Sequence, residues 1–377
     1  MEQHFYFSAP GRTEIGGNHT DHQHGCVLAA AISLETVADV TLNGTDHVCI
    51  RSQGYPEFTV SLSDLSVQET ETNTTAALVR GVLAAFEMRG AKLQGFDAAI
   101  RSTVLPGSGL SSSAAFEVLI GTICNELFLG GALSAVEIAQ IGQWAENVYF
   151  GKPCGLMDQM ASSVGGMVYI DFEDPENPVV EKIEFDFAKH GYALCIIDSG
   201  ADHADLTDEY AAITTELGAL CSFFGKKQLR HIPKEEFMQQ LPQLRGKVSD
   251  RAILRAFHVY RENERVAQEA AALKAGDIEQ FLSLVKQSGQ SSWMYLQNIC
   301  PAGSVEHQAV GFALALCDAL LDGRGACRVH GGGFAGTVQA FVPTDMLQQF
   351  KAEVEQNLGE GSCHLLTVRS VGGTRVQ

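Results

Sequence analysis

The 377-residue sequence is poor in the features that mark secreted, membrane-embedded and nucleic-acid-binding proteins. Its ten cysteines include no Cys-x-x-Cys pair, which argues against a structural zinc site or a disulfide framework and fits reduced thiols in the cytoplasm. Basic residues are scarce, since 26 Lys and Arg face 45 Asp and Glu, and the net charge of −19 opposes binding to nucleic acid or to anionic membranes. The longest apolar runs, at 26–32 and 309–317, are too short to span a bilayer.

Repeats and low-complexity tracts are not visible either, and since the first residues show neither a basic start nor an apolar run, we expect no export signal. With 45% apolar and 19% charged residues, the chain has the composition of a globular protein. Its length suggests about two domains of roughly 100–200 residues each. We expect a cytoplasmic protein without nucleic-acid or membrane partners, monomeric or weakly associating with itself.

The hydrophobic pattern predicts strands in the first hundred residues and mostly helices in the second half. Short β-branched or aromatic runs indicate strands, and apolar residues spaced three and four apart indicate helices. A turn-rich segment at 174–178 precedes an apolar strand, and we place a domain boundary between 187 and 188. Strands interspersed with helices in both halves predict the α+β class. The predicted strands are 5–8, 26–32, 36–42, 48–52, 58–62, 96–104, 167–172, 192–198, 336–342 and 365–368, and the predicted helices are 73–88, 112–127, 134–149, 206–224, 249–275, 277–287, 305–321 and one from 344.

The segment 105–115, Leu-Pro-Gly-Ser-Gly-Leu-Ser-Ser-Ser-Ala-Ala, follows a predicted strand and opens a predicted helix. Glycines let a ligand approach the backbone closely, and the free N–H groups at a helix start attract phosphate. The serines add hydroxyl donors, one of which could ligate Mg²⁺. An ordinary strand–turn–helix with Ser N-caps has the same pattern, so both interpretations stay open at this point. The segment matches neither a Walker loop nor a dinucleotide fingerprint.

The segment 10–25 reads Pro-Gly-Arg-Thr-Glu-Ile-Gly-Gly-Asn-His-Thr-Asp-His-Gln-His-Gly, and its four glycines predict a loop instead of a helix or a long strand. Its Arg, Asn, His and Asp side chains suit a small hydroxylated ligand, whose neighbouring hydroxyls need paired donors and acceptors. Two alternatives are a solvated loop and a metal site. The metal site would use His19, Asp21, His22 and His24, although their spacing fits no zinc pattern.

Two further segments carry candidate functional residues. Asp158 lies in the apolar, Gly- and Pro-containing stretch 151–159, where a carboxylate is either a helix N-cap or a general base. The segment 330–336, His-Gly-Gly-Gly-Phe-Ala-Gly, joins two strand-like stretches and by itself predicts only a tight turn plugged by a Phe.

Taken together and in this order, the four segments resemble the galactokinases, which belong to the GHMP superfamily of small-molecule kinases. The resemblance extends over essentially the whole chain. It implies an N-terminal GHMP kinase domain of mixed strands and helices at 1–187, a ferredoxin-like C-terminal domain at 188–377, and an active site between them. It also implies ATP-dependent phosphorylation of galactose at the anomeric hydroxyl. The similar segments are 10–21 (the galactokinase signature), 107–115 (the phosphate loop), 331–336 (the third motif), 252–266 and 288–292.

The resemblance further implies roles for individual residues. Asp158 matches the catalytic carboxylate that takes the proton of the sugar hydroxyl, and Arg12 matches the arginine that favours its ionised form and stabilises the transferring phosphoryl group. Without the resemblance, Glu146 could equally be a solvent-exposed residue on a helix surface, and Tyr210 could be an aromatic residue of the hydrophobic core. The implied sugar contacts are Asn18, His19, Asp21, Gly155 and Tyr210; the implied ATP contacts are Gly107, Ser108, Gly109, Leu110, Ser111, Ser112 and Ser113; the implied Mg²⁺ ligands are Ser113 and Glu146.

The sequence departs from the family pattern at three positions. Asn18 replaces a Glu that accepts a hydrogen bond from the sugar's C6 hydroxyl, and His22 replaces an aromatic residue. Plant galacturonate kinases also lack that acid, so a uronic acid or another C6-modified galactose is an alternative substrate. A non-catalytic sugar and ATP sensor is an alternative from another class, which the retained Ser113, Asp158 and Arg12 disfavour. Ala335 replaces the usual Gly of the third motif.

Overall fold

The computed structural model describes residues 3–105, 107–201, 206–334 and 336–376, which form two β-sheets with helices packed against them. Pro106 and Ala335 of the predicted motifs lie outside the described residues. Within the described ranges, no helix is long and apolar enough to cross a membrane. The strands are β1 (His4–Gly16), β2 (Cys26–Leu42), β3 (His47–Ser52), β4 (Phe58–Ser61), β5 (Phe96–Ser102), β6 (Met167–Asp171), β7 (Val179–Ile183), β8 (Tyr192–Asp198), β9 (Ala326–His330), β10 (Thr337–Pro343), β11 (Cys363–Leu366) and β12 (Thr374–Arg375).

The described residues also form α-helices within each group of strands, and two π-helical turns follow helices at Glu146–Phe150 and Ser292–Leu296. The α-helices are α1 (Thr75–Met88), α2 (Ser112–Phe128), α3 (Ala135–Ala145), α4 (Met157–Val164), α5 (Thr207–Phe223), α6 (Lys234–Leu244), α7 (Asp250–Ala275), α8 (Ile278–Ser291), α9 (Ala309–Leu321) and α10 (Leu347–Leu358).

The first sheet has eight strands among the described residues, in the order β12-β1-β2-β5-β3-β4, with β6 pairing β2 and β7. Its long β1–β2 hairpin is antiparallel, whereas β3 and β5 run parallel. Helices α1, α2 and α3 bury apolar side chains against this sheet, where Val82 and Phe86 of α1 and Ile123 of α2 belong to the same cluster as Phe96 of β5. The burial of this face provides most of the driving force that holds the helices on the sheet.

The expectation of a loop at 10–16 is wrong, because β1 continues through Gly16. Residues 12–14 pair regularly with Ala31, Ala30 and Ala29 of β2, and the register shifts on either side, between Pro10 and Arg12 and between Glu14 and Gly16. Such irregularities let a strand accommodate glycines without ending. The polar loop is therefore confined to residues 17–25, which contain a short 3₁₀ turn at Asp21–Gln23.

The second sheet has the antiparallel order β11-β8-β10-β9. Counted from β8, this is the order 4-1-3-2 of the ferredoxin-like βαββαβ arrangement, with several helices inserted between β8 and β9. Both halves combine strands and helices, so the predicted α+β class with a ferredoxin-like second part is confirmed.

The two parts of the chain share a buried apolar cluster. Ile15 and Leu28 of the first sheet pack there with Val266 of α7, Phe281 of α8 and Phe341 of β10. Near its end the chain returns to the first sheet, where β12 pairs with β1. The site described below lies where β1, the start of α2, the start of α4 and the segment after β9 meet.

Candidate active site

A charged side-chain pair stands at the centre of the site, where β1 meets the first turn of α4. The guanidinium of Arg12 donates two hydrogen bonds to the carboxylate of Asp158, from Nε to Oδ1 at 2.7 Å and from Nη2 to Oδ2 at 2.6 Å. Such bidentate pairing fixes the plane of the carboxylate as well as its position. The hydroxyl of Ser111 donates a third hydrogen bond, to Oδ2 at 2.7 Å. The fold thus joins the predicted catalytic pair although 146 positions separate the two residues.

The pair borders a small cavity with a volume of about 180 Å³. The side chain of Asp158 is 31% exposed and that of Arg12 is 8% exposed, so the carboxylate faces the cavity and the guanidinium lies behind it. Pockets for drug-sized ligands measure roughly 300–1,000 Å³, so this one suits a smaller molecule such as a single sugar ring. Its polar lining side chains are those of Arg12, Glu14, His19, Asp21, His22 and Asp158, and Gly155, Gly331 and Gly332 contribute backbone surface.

The electrostatics of the pair keep Asp158 ionised. Burial alone would raise the pKa of Asp158, but the charge of Arg12 and the hydrogen bonds from Arg12 and Ser111 outweigh it, so the pKa lies below its ordinary value. A carboxylate that is ionised at neutral pH is available as a proton acceptor. The alternative role of Asp158 as a helix cap is not seen, because Leu156 occupies the N-cap position of α4.

A second carboxylate, that of Asp21, lies directly against the backbone of Gly155. A Cβ atom added at residue 155 would come 1.7 Å from Oδ2 of Asp21, so only glycine leaves this space free. The backbone N–H of His22 donates to Oδ1 at 2.8 Å. Burial raises the pKa of Asp21 to about 6, and the charge of Asp158 acts in the same direction. The cavity wall therefore includes the carboxylates of both Asp21 and Asp158.

Replacing Asp21 by asparagine is expected to stabilise the ligand-free protein at neutral pH. A carboxyl group whose pKa is raised on folding binds protons more tightly when folded, so the free energy of unfolding falls as the pH rises from 3.8 to about 6. A shift of this size corresponds to about 2–3 kcal/mol, reduced by water in the adjoining cavity. Urea unfolding of both proteins near pH 4.5 and near pH 8 measures the effect. The advantage of Asp21→Asn should grow towards pH 8, and an equal advantage at both pH values would contradict the prediction.

Two imidazoles form the part of the cavity wall next to Gly332. Nδ1 of His19 and Nε2 of His22 lie 3.2 Å apart, and Nε2 of His19 lies 3.1 Å from the carbonyl oxygen of Gly332. Burial lowers the pKa of each imidazole to about 4, so both are neutral at physiological pH. His19 also has a φ of 59°, in the left-handed region that residues other than glycine seldom adopt. The departure from the family pattern at position 22 thus places a second neutral imidazole in the wall.

Asn18, a predicted sugar contact, is fully buried behind the cavity wall. Its Nδ2 donates to Oε1 of Glu14 at 3.1 Å and to the carbonyl oxygen of Gly331 at 2.6 Å. Its Oδ1 accepts from Nδ2 of Asn298 at 2.9 Å, and Nε2 of His258 lies 2.9 Å from its carbonyl oxygen. The side-chain amide of Asn18 makes its hydrogen bonds with other groups of the protein. Asn18 therefore positions Glu14 and Gly331 instead of lining the cavity.

Tyr210 stands behind the glycine segment 331–333 and is also not among the described residues that line the cavity. Its hydroxyl donates to the carbonyl oxygen of Gly333 at 3.0 Å, and its ring packs edge-on against Phe334 with the centroids 5.3 Å apart. A Cβ atom at residue 332 would lie 2.4 Å from the Tyr210 ring, so glycine is required there. Tyr210 therefore shapes the third motif, and its contact with a substrate stays a prediction.

The predicted phosphate loop is tied to β1 and stands beside the Arg12–Asp158 pair. The backbone N–H of Arg12 donates to the carbonyl oxygen of Leu110 at 3.0 Å, and Nη1 of Arg12 donates to that of Gly109. Gly109 has a φ of 71°, and a Cβ atom there would lie 3.1 Å from Nδ1 of His330. The loop thus fits between β1 and the end of β9.

The loop leads into α2 without a side-chain cap. Ser111 occupies the N-cap position with a φ of 57°, but its hydroxyl donates to Asp158 and makes no capping hydrogen bond. Uncapped N–H groups at a helix start attract anions such as phosphate. The start of α2 therefore has N–H groups without a side-chain cap, and the predicted ATP contacts from Gly107 to Ser113 stay predictions.

The two predicted Mg²⁺ ligands lie on neighbouring elements near a buried glutamine. Glu146 is buried at the start of its π-helical turn, and Nε2 of Gln159 donates at 2.9 Å to the carboxylates of both Glu146 and Glu117. Glu117 follows Ser113 by one turn on α2. It is fully buried with Oε1 unpartnered, and burial together with the charge of Glu146 raises its pKa well above the ordinary value. A serine hydroxyl and carboxylates are oxygen ligands of the kind that Mg²⁺ prefers.

The alternative metal site in the segment 10–25 is not formed. In the part of the chain that the structure describes, no group of three or more His, Cys, Asp or Glu side chains is arranged to hold a metal ion. His24 instead packs edge-on against His231, with the ring centroids 5.4 Å apart. The Ser113 and Glu146 prediction is compatible with this finding, because Mg²⁺ is usually held by one or two carboxylates together with water and substrate phosphates.

Two residues of the site, Glu14 and His330, lie within the segments discussed above but were not predicted as site residues. Glu14 lines the cavity and forms an ion pair with the fully buried Arg328. Strand alternation puts Glu14 on the same face as Arg12, a signal that the expected loop at 10–16 concealed. His330 is buried under the phosphate loop, with Nε2 3.0 Å from Oγ1 of Thr13. The sequence shows only that His330 ends a strand and precedes a glycine run, which does not predict its contact with Thr13 or its burial under the phosphate loop.

Comparisons with known proteins agree with this arrangement. Residues 77–166 match the model of the GHMP kinases N-terminal domain, and residues 1–41 match the galactokinase galactose-binding signature. The chain is 30% identical to the galactokinase of Mannheimia succiniciproducens, over 93% of its own length and 88% of the relative's. It is 31% identical to the galactokinase of Glaesserella parasuis, over 95% and 91% of the two chains.

Solved structures show the same fold. The structure of Lactococcus lactis galactokinase complexed with galactose matches with a TM-score of 0.85 at 23% identity, covering 99% of this chain and 95% of that one. A mevalonate kinase structure matches with a TM-score of 0.68 at 13% identity, covering 97% and 99%. These comparisons confirm the predicted GHMP kinase fold and a sugar kinase activity. The chain belongs to the galactokinase family.

Proposed function

We propose that this protein transfers the γ-phosphoryl group of ATP to the anomeric C1 hydroxyl of galactose, giving the sugar 1-phosphate and ADP. The proposal rests above all on the Asp158 carboxylate, which Arg12 and Ser111 hold at the wall of a sugar-sized cavity beside the start of α2. Membership of the galactokinase family supports the same reaction. His19, Asp21 and Gly155, which adjoin the same cavity, are the proposed sugar contacts.

The position of the Asp158 carboxylate determines the chemistry. The C1 hydroxyl oxygen attacks the γ-phosphorus while the bond to the β–γ bridging oxygen breaks, and the hydroxyl proton passes to Asp158. Phosphoryl transfer has a loose transition state, so positioning and charge neutralisation matter more than the strength of the base. A carboxylate with a lowered pKa is therefore adequate. Arg12 offsets negative charge next to the transferring group.

ATP is proposed to bind through the backbone of the loop from Gly107 to Ser113 and the start of α2. Helix-terminal amides provide a local positive field, which explains how a protein of net charge −19 accepts a triphosphate. Ser113 and Glu146 would hold Mg²⁺, and the unpartnered Oε1 of the adjacent Glu117 fits a cation nearby. The bound ion would neutralise phosphate charge.

The cavity favours a neutral sugar over a uronic acid. Among the described lining residues are three carboxylates, those of Glu14, Asp21 and Asp158, and one guanidinium, that of Arg12; a second guanidinium, that of Arg328, pairs with Glu14 from behind the wall. A substrate carboxylate would meet these like charges in a poorly hydrated space, where repulsion is stronger than in water. Asn18, the departure that suggested galacturonate, is buried behind the wall and presents no donor to the cavity.

We expect kcat/KM for D-galactose to exceed that for D-galacturonate by at least about 100-fold, which corresponds to about 2.7 kcal/mol. A coupled ADP-release assay with a panel of hexoses and uronates measures the ratio, and phosphorus NMR of the product locates the phosphate at C1. Better turnover of galacturonate would reject galactose as the substrate. Equal ADP release by the wild type and Asp158→Ala would reject the kinase reaction and leave a non-catalytic sensor.

The division into domains 1–187 and 188–377 is also a proposal. The two sheets support it, although β12 joins the first sheet from the end of the chain. A cytoplasmic location and a monomeric or weakly associating state complete the proposal. Light scattering at several protein concentrations checks the oligomeric state.

A further inference from the structure

The proposed reaction leaves one acidic side chain of the cavity without a role. Glu14 lines the cavity two residues after Arg12 on β1. We propose that Glu14 is a specificity-determining residue, which accepts a hydrogen bond from a substrate hydroxyl remote from C1 and disfavours substrates that carry a carboxylate there. This inference rests on the proposed function, since it requires a sugar in the cavity.

The carboxylate of Glu14 is held firmly from behind. Its Oε1 accepts from Nη2 of Arg328 at 2.8 Å and from Nδ2 of Asn18 at 3.1 Å. Nη2 of Arg328 also donates to the backbone carbonyl of Glu14 at 3.0 Å. Asn18 is fixed in turn by Asn298 and His258. These partners are buried, so they orient the carboxylate before any ligand binds.

The second oxygen of this carboxylate is free to accept a hydrogen bond. Among the described residues, none donates to Oε2 of Glu14, whereas Oε1 has two donors. The side chain is only 3% exposed, and the surface it does expose borders the cavity. A charged acceptor that is nearly desolvated and lacks a partner is costly, and a substrate hydroxyl would satisfy it.

Strand geometry places Glu14 on the same face of β1 as Arg12, one side-chain position further along the strand. Residues 12 to 14 pair regularly with β2, so the Cα atoms of Arg12 and Glu14 are about 6.5 Å apart and their side chains share a face. Arg12 holds Asp158, where C1 is proposed to lie. A separation of this size is comparable to the width of a pyranose ring. The hydroxyl that reaches Glu14 is therefore on the far side of the ring, at C4 or C6.

The test combines substitutions at Glu14 with deoxy sugars. Wild type and Glu14→Gln are assayed with galactose, 4-deoxygalactose and 6-deoxygalactose. Because Glu14→Gln leaves Arg328 buried without a counter-charge and could unfold the protein, Glu14→Gln/Arg328→Met is assayed as well. This second variant removes both charges and retains much of the buried volume.

We expect Glu14→Gln to lower kcat/KM for galactose about tenfold or more, mainly through KM. The same substitution should change kcat/KM less than about twofold for the one deoxy sugar that lacks the contacted hydroxyl, because neither protein can form the hydrogen bond to it. The deoxy sugar that is insensitive to the substitution shows whether Glu14 contacts the hydroxyl at C4 or the one at C6. If that contact is at C6, the galactose-to-galacturonate ratio should also fall about tenfold or more, because galacturonate carries its carboxylate at C6. The double variant should show the same pattern.

Glu262→Gln is the matched control. Glu262 is a fully buried carboxylate paired with Arg265, and it does not belong to the described cavity lining. Its substitution should lower thermal stability and leave the ratios of kcat/KM among the sugars unchanged. If the Glu14 variants lose the same factor with all three sugars, Glu14 has only a structural role and the inference is wrong. If wild-type protein does not phosphorylate galactose at all, the proposed function fails and the inference fails with it.

Discussion

Replacing Asp158 by asparagine is expected to lower kcat for sugar phosphorylation by roughly 10²–10⁴-fold, the usual contribution of a positioned proton acceptor. Asparagine keeps an oxygen for the hydrogen bonds from Arg12 and Ser111 but cannot take the substrate proton. The KM values for sugar and ATP should change little, because the loss lies in the transition state. The coupled ADP-release assay gives kcat, and thermal unfolding reports whether the protein is folded.

A matched control for this substitution is Asp171→Asn. Asp171 also pairs with a guanidinium, since its Oδ2 lies 2.9 Å from Nη2 of the partly buried Arg230, but Asp171 is not among the described residues that line the cavity. Both substitutions weaken an ion pair, so both cost some stability, and only Asp158→Asn should lower kcat. A folded Asp158→Asn protein with kcat within about threefold of the wild type would exclude Asp158 as the proton acceptor.

Replacing Gly155 by alanine is expected to raise the sugar KM by roughly 10–100-fold. The added Cβ would lie 1.7 Å from Oδ2 of Asp21, so the carboxylate or the 154–156 backbone must move. Overpacking of this kind costs about 1–3 kcal/mol, and here it displaces a proposed sugar contact. The KM for ATP should stay near the wild-type value because the phosphate loop is not displaced. Initial rates with each substrate varied in turn separate the two effects.

Gly218→Ala is the matched control, because it makes the same substitution at a position where the added methyl group has room. Residue 218 lies in α5, where an added Cβ meets no atom within 4 Å. Alanine is favoured over glycine in a helix by up to about 1 kcal/mol, so this variant should be equally or more stable with an unchanged sugar KM. If Gly155→Ala also keeps the wild-type sugar KM, the close packing of Asp21 on Gly155 has no role in binding the sugar.

Elements with strong local patterns were predictable from the sequence. The strand Tyr192–Asp198 has the predicted bounds, and α2 and α7 differ from the predicted helices by one residue at one end. Elements that depend on pairing with distant parts of the chain were not predictable from the sequence. The expected strands 26–32 and 36–42 form one continuous β2 because β1, β5 and β6 pair along it, and the two-residue β12 exists only through pairing with β1. The helix α6 contains Pro242, which weakens its sequence signal.

The sequence by itself determined the chemical groups of the site, because glycine runs, a serine-rich helix start and a carboxylate in a short loop are local features. Through the family resemblance it predicted Asp158 together with Arg12, whereas Ser111 was expected only as an ATP contact and its hydrogen bond to Asp158 came from the fold. Only the tertiary structure decided which polar side chains face the cavity. The direction of a side chain on β1 depends on its pairing with β2, and the partner of Glu14, Arg328, lies 314 residues away in the chain. For that reason Asn18 lies behind the cavity wall while Glu14 borders the cavity, a difference that no local sequence pattern reveals.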